Sequence, residues 1–200
     1  LVPIKNHRMF LEAVRFFLSR NPGLKTKFVI IGDGELRQKL ELYCHQLGID
    51  QHIVFCGWIR NIPMVYADLD VLALTSKNEG TPVSIIEAMA TSVPVLATDA
   101  GGVRDLLGKV ESARPDGHFR YCERGILCQK NDPEAFAMGV ESLLNTPAEE
   151  IAEQMARARN FVINTYSQDR LIKEIESLYI DLMAQPVPEE IERKYASSPT

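Results

Sequence analysis

The sequence predicts an α/β fold, a Rossmann-like parallel sheet with helices on both faces. Three observations lead there. Short apolar runs of four or five residues alternate with longer stretches of helical periodicity. Several of those runs are followed at once by glycine, the residue a tight strand-to-helix turn favours. The length, 200 residues, suits one sizeable α/β domain or two small ones, and neither a repeat nor an internal linker divides it. The expected organisation is one domain over 1–184 and a polar tail over 185–200, rich in Pro, Ser and Glu.

The elements follow in order. Met9, Phe10, Ala13, Val14 and Phe17 recur at helical spacing, so residues 6–19 form a helix that Asn21-Pro22-Gly23 stops. Lys27–Ile31 is a buried strand, followed by the turn Gly32-Asp33-Gly34. Residues 35–47 are helical and end at Gly48, placed to terminate them. Ile53–Cys56 is the second strand, closed by Gly57, and Ile62–Ala67 a short helix. Val71–Leu74 is the third strand. Thr81 then reads as an N-cap with Pro82 at the first helical position, and the helix runs to about Ala90. Val93–Ala97 is the fourth strand, with Pro94 at its start or on an edge. Gly101-Gly102 opens a short helix, Gly125–Cys128 is the fifth strand, and helices follow over 133–144, 148–163 and 168–184.

Composition excludes several function classes. Lys plus Arg number 22 against 27 Asp plus Glu, a formal charge of −5, which is wrong for sequence-independent nucleic-acid binding. No apolar run approaches the roughly 20 residues that span a bilayer, so no transmembrane segment is expected. The opening Leu-Val-Pro is read as the start of a piece of a longer protein. Cys44, Cys56, Cys122 and Cys128 form no C-x-x-C pair and read as reduced thiols. His118, Cys122 and Cys128 lack zinc spacing and a fourth ligand, so no metal site is expected.

In open parallel sheets ligands bind beyond the carboxyl ends of the strands. That rule selects loops 32–35, 57–60, 75–82, 98–103 and 129–132. The most informative is Thr75–Pro82, which leads from a strand into a helix N-terminus, where free N–H groups and the helix dipole favour a phosphate. Gly80 lets a ligand approach the backbone. Glu79 in this loop and Glu87 inside the helix place two carboxylates beside that phosphate site, and each can accept sugar hydroxyl protons. Spacing alone leaves open that Glu79 is solvated and Glu87 an ordinary surface residue. Gly32-Asp33-Gly34 lacks the third glycine of the dinucleotide fingerprint and reads as a tight turn. Asp68-Leu69-Asp70 resembles a D-x-D metal motif but lies at the amino end of its strand, away from the cleft. A phosphoryl-accepting signalling domain would need its Asp at the other end, which sets that reading aside.

Together these loops resemble the C-terminal, donor-binding half of a retaining glycosyltransferase of family 4, with the GT-B fold. The segments that carry the resemblance are Lys5-Asn6, Ile30–Gly34, Val54–Gly57, Ala67–Ser76, Glu79–Ala90 with its two glutamates, Pro94–Gly102 and Asn131–Glu134, in that order over roughly residues 1–180. The resemblance implies a nucleotide-diphosphate sugar of UDP or GDP type as substrate, and neither cofactor nor metal. It implies catalytic roles for Lys5, on the donor diphosphate, and for Glu79, on the sugar hydroxyls. Backbone N–H groups of Gly80, Thr81 and Val83 would meet phosphate or sugar, and Glu87 the ribose. Gly57, Trp58 and Ile59 would line the base pocket, with Gly32 near the phosphates.

The other implied partner is an N-terminal acceptor-binding domain of the parent chain. Without it this segment is expected to be inactive. The implied setting is cytoplasmic, the parent lying peripherally at the inner membrane and using a glycan or lipid-linked acceptor. The other reading that these residues allow is a non-catalytic nucleotide-sugar-binding or interaction module on the same fold.

The sequence also departs from the family. It begins after the Gly-Arg pair whose Arg meets the diphosphate, and its first strand is expected to be cut. Thr81-Pro82 replaces an aromatic-Gly pair. Asp105 replaces Glu, and Ser92 stands at a usual Gly, a replacement that works if φ stays negative. Residues 110–124 are longer than the family norm and are expected to form a flexible loop near the cleft.

Overall fold

Asn6, in left-handed conformation, starts α1 (His7–Arg20), and its apolar residues divide between two sides. Leu11 and Val14 pack with Ile30, Leu40, Cys44 and Ile53. Met9 and Ala13 pack with Leu96, Phe119, Ile126 and Phe136. The first group joins α1 to β1 (Phe28–Ile31), α2 (Arg37–Leu47) and β2 (Ile53–Gly57). These two strands are parallel and form a sheet of their own. The computed structural model describes residues 1–114 and 116–184, and the expected tail lies outside them.

The short helix α3 (Ile62–Ala67) leads to β3 (Leu72–Leu74), then α4 (Val83–Ala90), β4 (Val95–Thr98) and α5 (Val103–Leu107). Three more strands follow, β5 (Val110–Ala113), β6 (Phe119–Cys122) and β7 (Gly125–Cys128). The second sheet has the order β3-β4-β7-β6-β5. β3, β4 and β7 are parallel, whereas β6 and β5 are antiparallel additions. Both faces are covered, which is why these strands read as continuous apolar runs. Val95, Ala97 and Leu127 face Ile85, Met89, Leu106 and Leu107. Leu96, Ile126 and Cys128 face α1 and α6 (Pro133–Asn145) through Met9 and Phe136.

The expectation for residues 110–124 is corrected here. Val110–Ala113 and Phe119–Cys122 pair as the antiparallel strands β5 and β6, and Phe119 and Cys122 are buried. The polar residues of Val110–Ala113 face solvent, which hides the strand from a search for apolar runs. The signal was Asp116-Gly117, a turn dipeptide, with Gly117 at φ +73° and its N–H donating to the Arg114 carbonyl at 2.9 Å.

Two compact units divide the chain. The first is Leu1–Val162 and the second begins at Ile163. In the first, Met155, Ala158 and Val162 of α7 (Ala148–Tyr166) join the core beside α4 and α5. The second contains α8 (Gln168–Ala184), with an Arg170–Glu174 ion pair at 3.1 Å one turn apart. No described helix is long and apolar enough to cross a membrane.

Candidate functional site

The carboxyl ends of β1, β2, β3, β4 and β7 carry the loops that the sequence singled out. The segment Leu1–Asn6 joins two of them. The Leu1 carbonyl accepts from the Leu36 N–H at 3.3 Å, and the Leu1 ammonium donates to the Asp33 carbonyl. Further on, the Ile4 carbonyl accepts from the Lys77 N–H at 2.8 Å, and the Lys5 carbonyl from the Thr75 hydroxyl at 3.0 Å. These bonds set the Lys5 backbone on the loop that follows β3.

The Lys5 ammonium lies 2.7 Å from Oε1 of Glu79. The Glu79 side chain is only 11% exposed, so its charge is held by partners and not by bulk water. A second partner is Ser76, fully buried, whose hydroxyl donates to the same oxygen at 2.5 Å. Ser76 is fixed in turn, because its carbonyl accepts from the buried Thr98 hydroxyl at 2.6 Å.

The Glu79-Gly80 backbone rests on Gly101-Gly102. The Gly102 N–H donates to the Glu79 carbonyl at 3.2 Å. A Cβ on Gly101 would stand 1.9 Å from the Glu79 carbonyl oxygen, and one on Gly102 2.0 Å from that of Gly80. The close approach that this glycine pair permits is therefore that of the protein's own loop. At Gly80 a Cβ would meet nothing within 4 Å among the described residues, so the outer side of the loop is open toward them.

The helix behind the loop starts one residue later than the sequence reading. Pro82, with extended backbone, is the N-cap, and no side chain among the described residues caps the helix. Thr81 is thus outside α4 and exposed, because Pro82 sets the turn into the helix. The first-turn N–H groups of Val83 and Ser84 have no intrahelical carbonyl to bond. Glu87 stands on α4 and is exposed. Its Oε2 accepts from the Tyr66 hydroxyl at 2.9 Å. Tyr66 is only 7% exposed, and burial, followed by Glu87, pushes its phenol pKa up.

The glycine turns meet as well: the Gly32 N–H donates to the Gly57 carbonyl at 2.7 Å, both residues at positive φ. Beside them Trp58 is 81% exposed and Ile59 half-buried. At the end of β4, Asp99 binds Arg104 of α5 and Arg120 of β6, the latter at 2.6 Å. Arg104, then Arg120, holds its carboxyl below the usual range despite partial burial.

Thus the structure brings Lys5 to Glu79 and Gly32 to Gly57, and it stacks Gly80 on Gly102. Among the described residues, Glu79 and Glu87 each have their own support and share none. Asp68 caps α3 through its N–H, bonded to the Val65 carbonyl at 3.1 Å, and has no place in the cleft. His118 lies 3.4 Å from Asp132, while Cys122 and Cys128 are buried in the sheet as free thiols. The supporting residues Ser76, Thr98 and Tyr66 were not legible as such. Only Ser76 carried a signal, the Ser-x-x-Glu spacing that brings a hydroxyl back to a carboxylate.

The family model for glycosyl transferases group 1 matches residues 1–146. The chain belongs to that family. It is 29% identical over 185 residues to the UDP-Gal:alpha-D-GlcNAc-diphosphoundecaprenol alpha-1,3-galactosyltransferase of Escherichia coli, covering 92% of this chain and 44% of that protein. It is 32% identical over 179 residues to a GalNAc-alpha-(1->4)-GalNAc-alpha-(1->3)-diNAcBac-PP-undecaprenol alpha-1,4-N-acetyl-D-galactosaminyltransferase of Campylobacter jejuni, covering 86% and 46%. The group 1 chain thus spans under half the length of these relatives.

Among solved structures it resembles Anabaena HepE in complex with UDP, with TM-score 0.76 and 19% identity over 90% of this chain and 46% of that one. It also resembles the C-terminal domain of the group 1 protein LpcC from Francisella tularensis, with TM-score 0.66 and 25% identity, covering 84% and 83%. The fold is that of the GT-B glycosyltransferases, and the match to a C-terminal domain agrees with the segment expected from the sequence.

Proposed function

We propose that this group 1 chain is the donor-binding part of a retaining glycosyltransferase. The full protein would move a sugar from a nucleoside diphosphate sugar to a glycan or lipid-linked acceptor. The observation that carries this reading is the Lys5–Glu79 pair beside the open N-terminus of α4, at the carboxyl ends of parallel strands.

Each part has a chemical task. Lys5 and the N–H groups of Gly80, Thr81 and Val83 take the diphosphate, with Gly32 close by. Ionic and helix-end donors stabilise the charge that builds on a departing diphosphate. Because Lys5 and Ser76 both engage Oε1 of Glu79, Oε2 accepts a donor-sugar hydroxyl. Glu87 takes the ribose hydroxyls, and Gly57, Trp58 and Ile59 the base. No metal is needed in this scheme, since cations and dipoles do the neutralising. The bond between the anomeric carbon and the diphosphate oxygen breaks, an acceptor hydroxyl oxygen bonds to that carbon on the same face, and its proton passes to the departing diphosphate.

The names of relatives support the two substrates. One relative is named for UDP-Gal and a diphosphoundecaprenol acceptor, another for an undecaprenol diphosphate acceptor. HepE was solved with UDP and with UDP-glucose. With a lipid-linked acceptor, the full protein would lie peripherally at the cytoplasmic face of the inner membrane. The acceptor wall belongs to an N-terminal domain, so this chain alone is inactive.

The test is a transfer assay with radiolabelled UDP- and GDP-sugars and undecaprenyl-diphosphate glycans, with and without EDTA. It compares the chain alone with a protein that joins it to its N-terminal half. The expected result is EDTA-insensitive transfer by the longer protein only, with the anomeric configuration retained by NMR. Turnover by the chain alone, or inversion, contradicts the proposal. Nucleotide-sugar binding with no transfer by the longer protein selects the non-catalytic module.

A further inference from the structure

Glu87 is exposed on a helix, where a glutamate side chain samples several rotamers in water. Here it is not left to do so. Tyr66, from the neighbouring helix α3, reaches it with a buried phenol whose hydroxyl donates to Oε2 at 2.9 Å. The same hydroxyl lies 3.1 Å from the Ser84 carbonyl. It has one proton to give, and an ionised carboxylate is the stronger acceptor. The backbone carbonyl alone would satisfy a buried phenol, so the Glu87 contact does something that burial does not require. Among the described residues it leaves one carboxylate oxygen tied and the other free. A ribose offers two adjacent hydroxyls, and they need that free oxygen at a set place.

We propose that Tyr66 is a positioning residue for Glu87, holding Oε2 so that Oε1 meets the vicinal diol of the donor nucleotide's ribose. The inference rests on the assignment of Glu87 to the ribose made above. Tyr66 touches no substrate. Its effect is to order the carboxylate before the nucleotide arrives, so the ordering is not charged against binding. The aromatic body of Tyr66 packs with Ile85 and Met89 in the core, and Phe can keep that packing while losing only the hydroxyl.

The test is calorimetric titration of the full chain with UDP and with 2′,3′-dideoxy-UDP, and with the guanosine pair where GDP is the tighter ligand. The proteins are wild type, Tyr66→Phe, Glu87→Ala and the double variant, each with its melting temperature. Tyr66→Phe is expected to weaken UDP binding about three- to tenfold, the cost of immobilising one side chain. It should leave dideoxy-UDP binding unchanged, and add nothing once Glu87 is alanine. Equal weakening of both nucleotides, or full additivity in the double variant, overturns the proposal and marks Tyr66 as a packing residue. If Glu87→Ala abolishes the preference for the diol while Tyr66→Phe keeps it whole, the ribose assignment stands and this proposal alone falls. If Glu87→Ala keeps the preference, or wild type binds neither nucleotide, the assignment falls and takes the proposal with it.

Discussion

Glu79 and Glu87 are eight residues apart and are held by different means. Glu79 sits in a loop, which supplies no geometry of its own. It is nearly buried, bonded to an ammonium and a buried hydroxyl, and its backbone is seated on Gly101-Gly102. Glu87 sits on α4, where the helix already fixes its Cα, and it is exposed with one phenol on one oxygen. A carboxylate on a loop needs its whole surroundings built around it, whereas one on a helix needs only its last torsions set. The two should therefore answer differently to substitution.

The largest effect is expected where the loop is seated. Gly101→Ala puts a Cβ into the Glu79 carbonyl at a residue with φ +53°, so it should cost about 2–4 kcal/mol of stability. Gly80→Ala meets no atom of the described residues and should leave the denaturant midpoint unchanged while weakening nucleotide binding. Equal midpoints for the two alanine variants would break the comparison.

Next comes acid. Burial, and then the ammonium groups of Leu1 and Lys5, push the His7 pKa down from 6.5 to about 4. Its Nδ1 is buried and has no hydrogen-bond partner among the described residues. The unfolded chain therefore binds the proton first, and stability falls as pH drops from about 6.5 to about 4. The loss is on the order of 3 kcal/mol, at about 1.36 kcal/mol per pKa unit. His7→Gln should flatten that part of a urea-denaturation series run against pH, and it acts on the segment that carries Lys5.

Removing partners separates the two carboxylates further. Lys5→Ala strips the cation from a Glu79 side chain that is 11% exposed and should cost about 1–2 kcal/mol. Glu87→Ala removes an exposed residue and should stay within about 0.5 kcal/mol. Thermal melts of both variants read this directly, and equal losses would contradict the contrast.

The smallest effect lies just past α4. Ser92 has φ +61°, in the left-handed region, contrary to the negative φ under which serine was expected to replace glycine. The turn dictates the conformation, and serine tolerates it at a cost. Ser92→Gly should raise stability by about 0.5–1 kcal/mol with nucleotide affinity unchanged.

Much of this was legible in the sequence because the strands are buried on both faces. Val93–Ala97 and Gly125–Cys128 read as apolar runs, and the helices between them keep their period. β5 was not legible, since all four of its side chains are exposed and carry no pattern. Lys5, Glu79 and Glu87 could be named from their order along the chain. What holds them could not, because Thr98 reaches the Ser76 carbonyl and Tyr66 reaches Glu87 across gaps of 22 and 21 residues. Those contacts depend on tertiary packing, which no local pattern encodes. The open side of Gly80 and the exposure of Trp58 are likewise properties of the folded surface.

The central claim is that the two carboxylates serve one nucleotide-sugar ligand. It is tested most directly by calorimetric titration of the chain with UDP, UDP-glucose and UDP-galactose, and with the GDP series. Wild type, Glu79→Ala and Glu87→Ala are compared. The expected result is that Glu87→Ala weakens nucleotide and nucleotide sugar alike, by about 1–3 kcal/mol, the worth of a charged hydrogen bond. Glu79→Ala should erase the extra affinity that the sugar confers and spare the bare nucleotide. Loss of nucleotide and nucleotide sugar in equal measure with both variants, or no response to either, would contradict the division of one ligand between the loop carboxylate and the helix carboxylate.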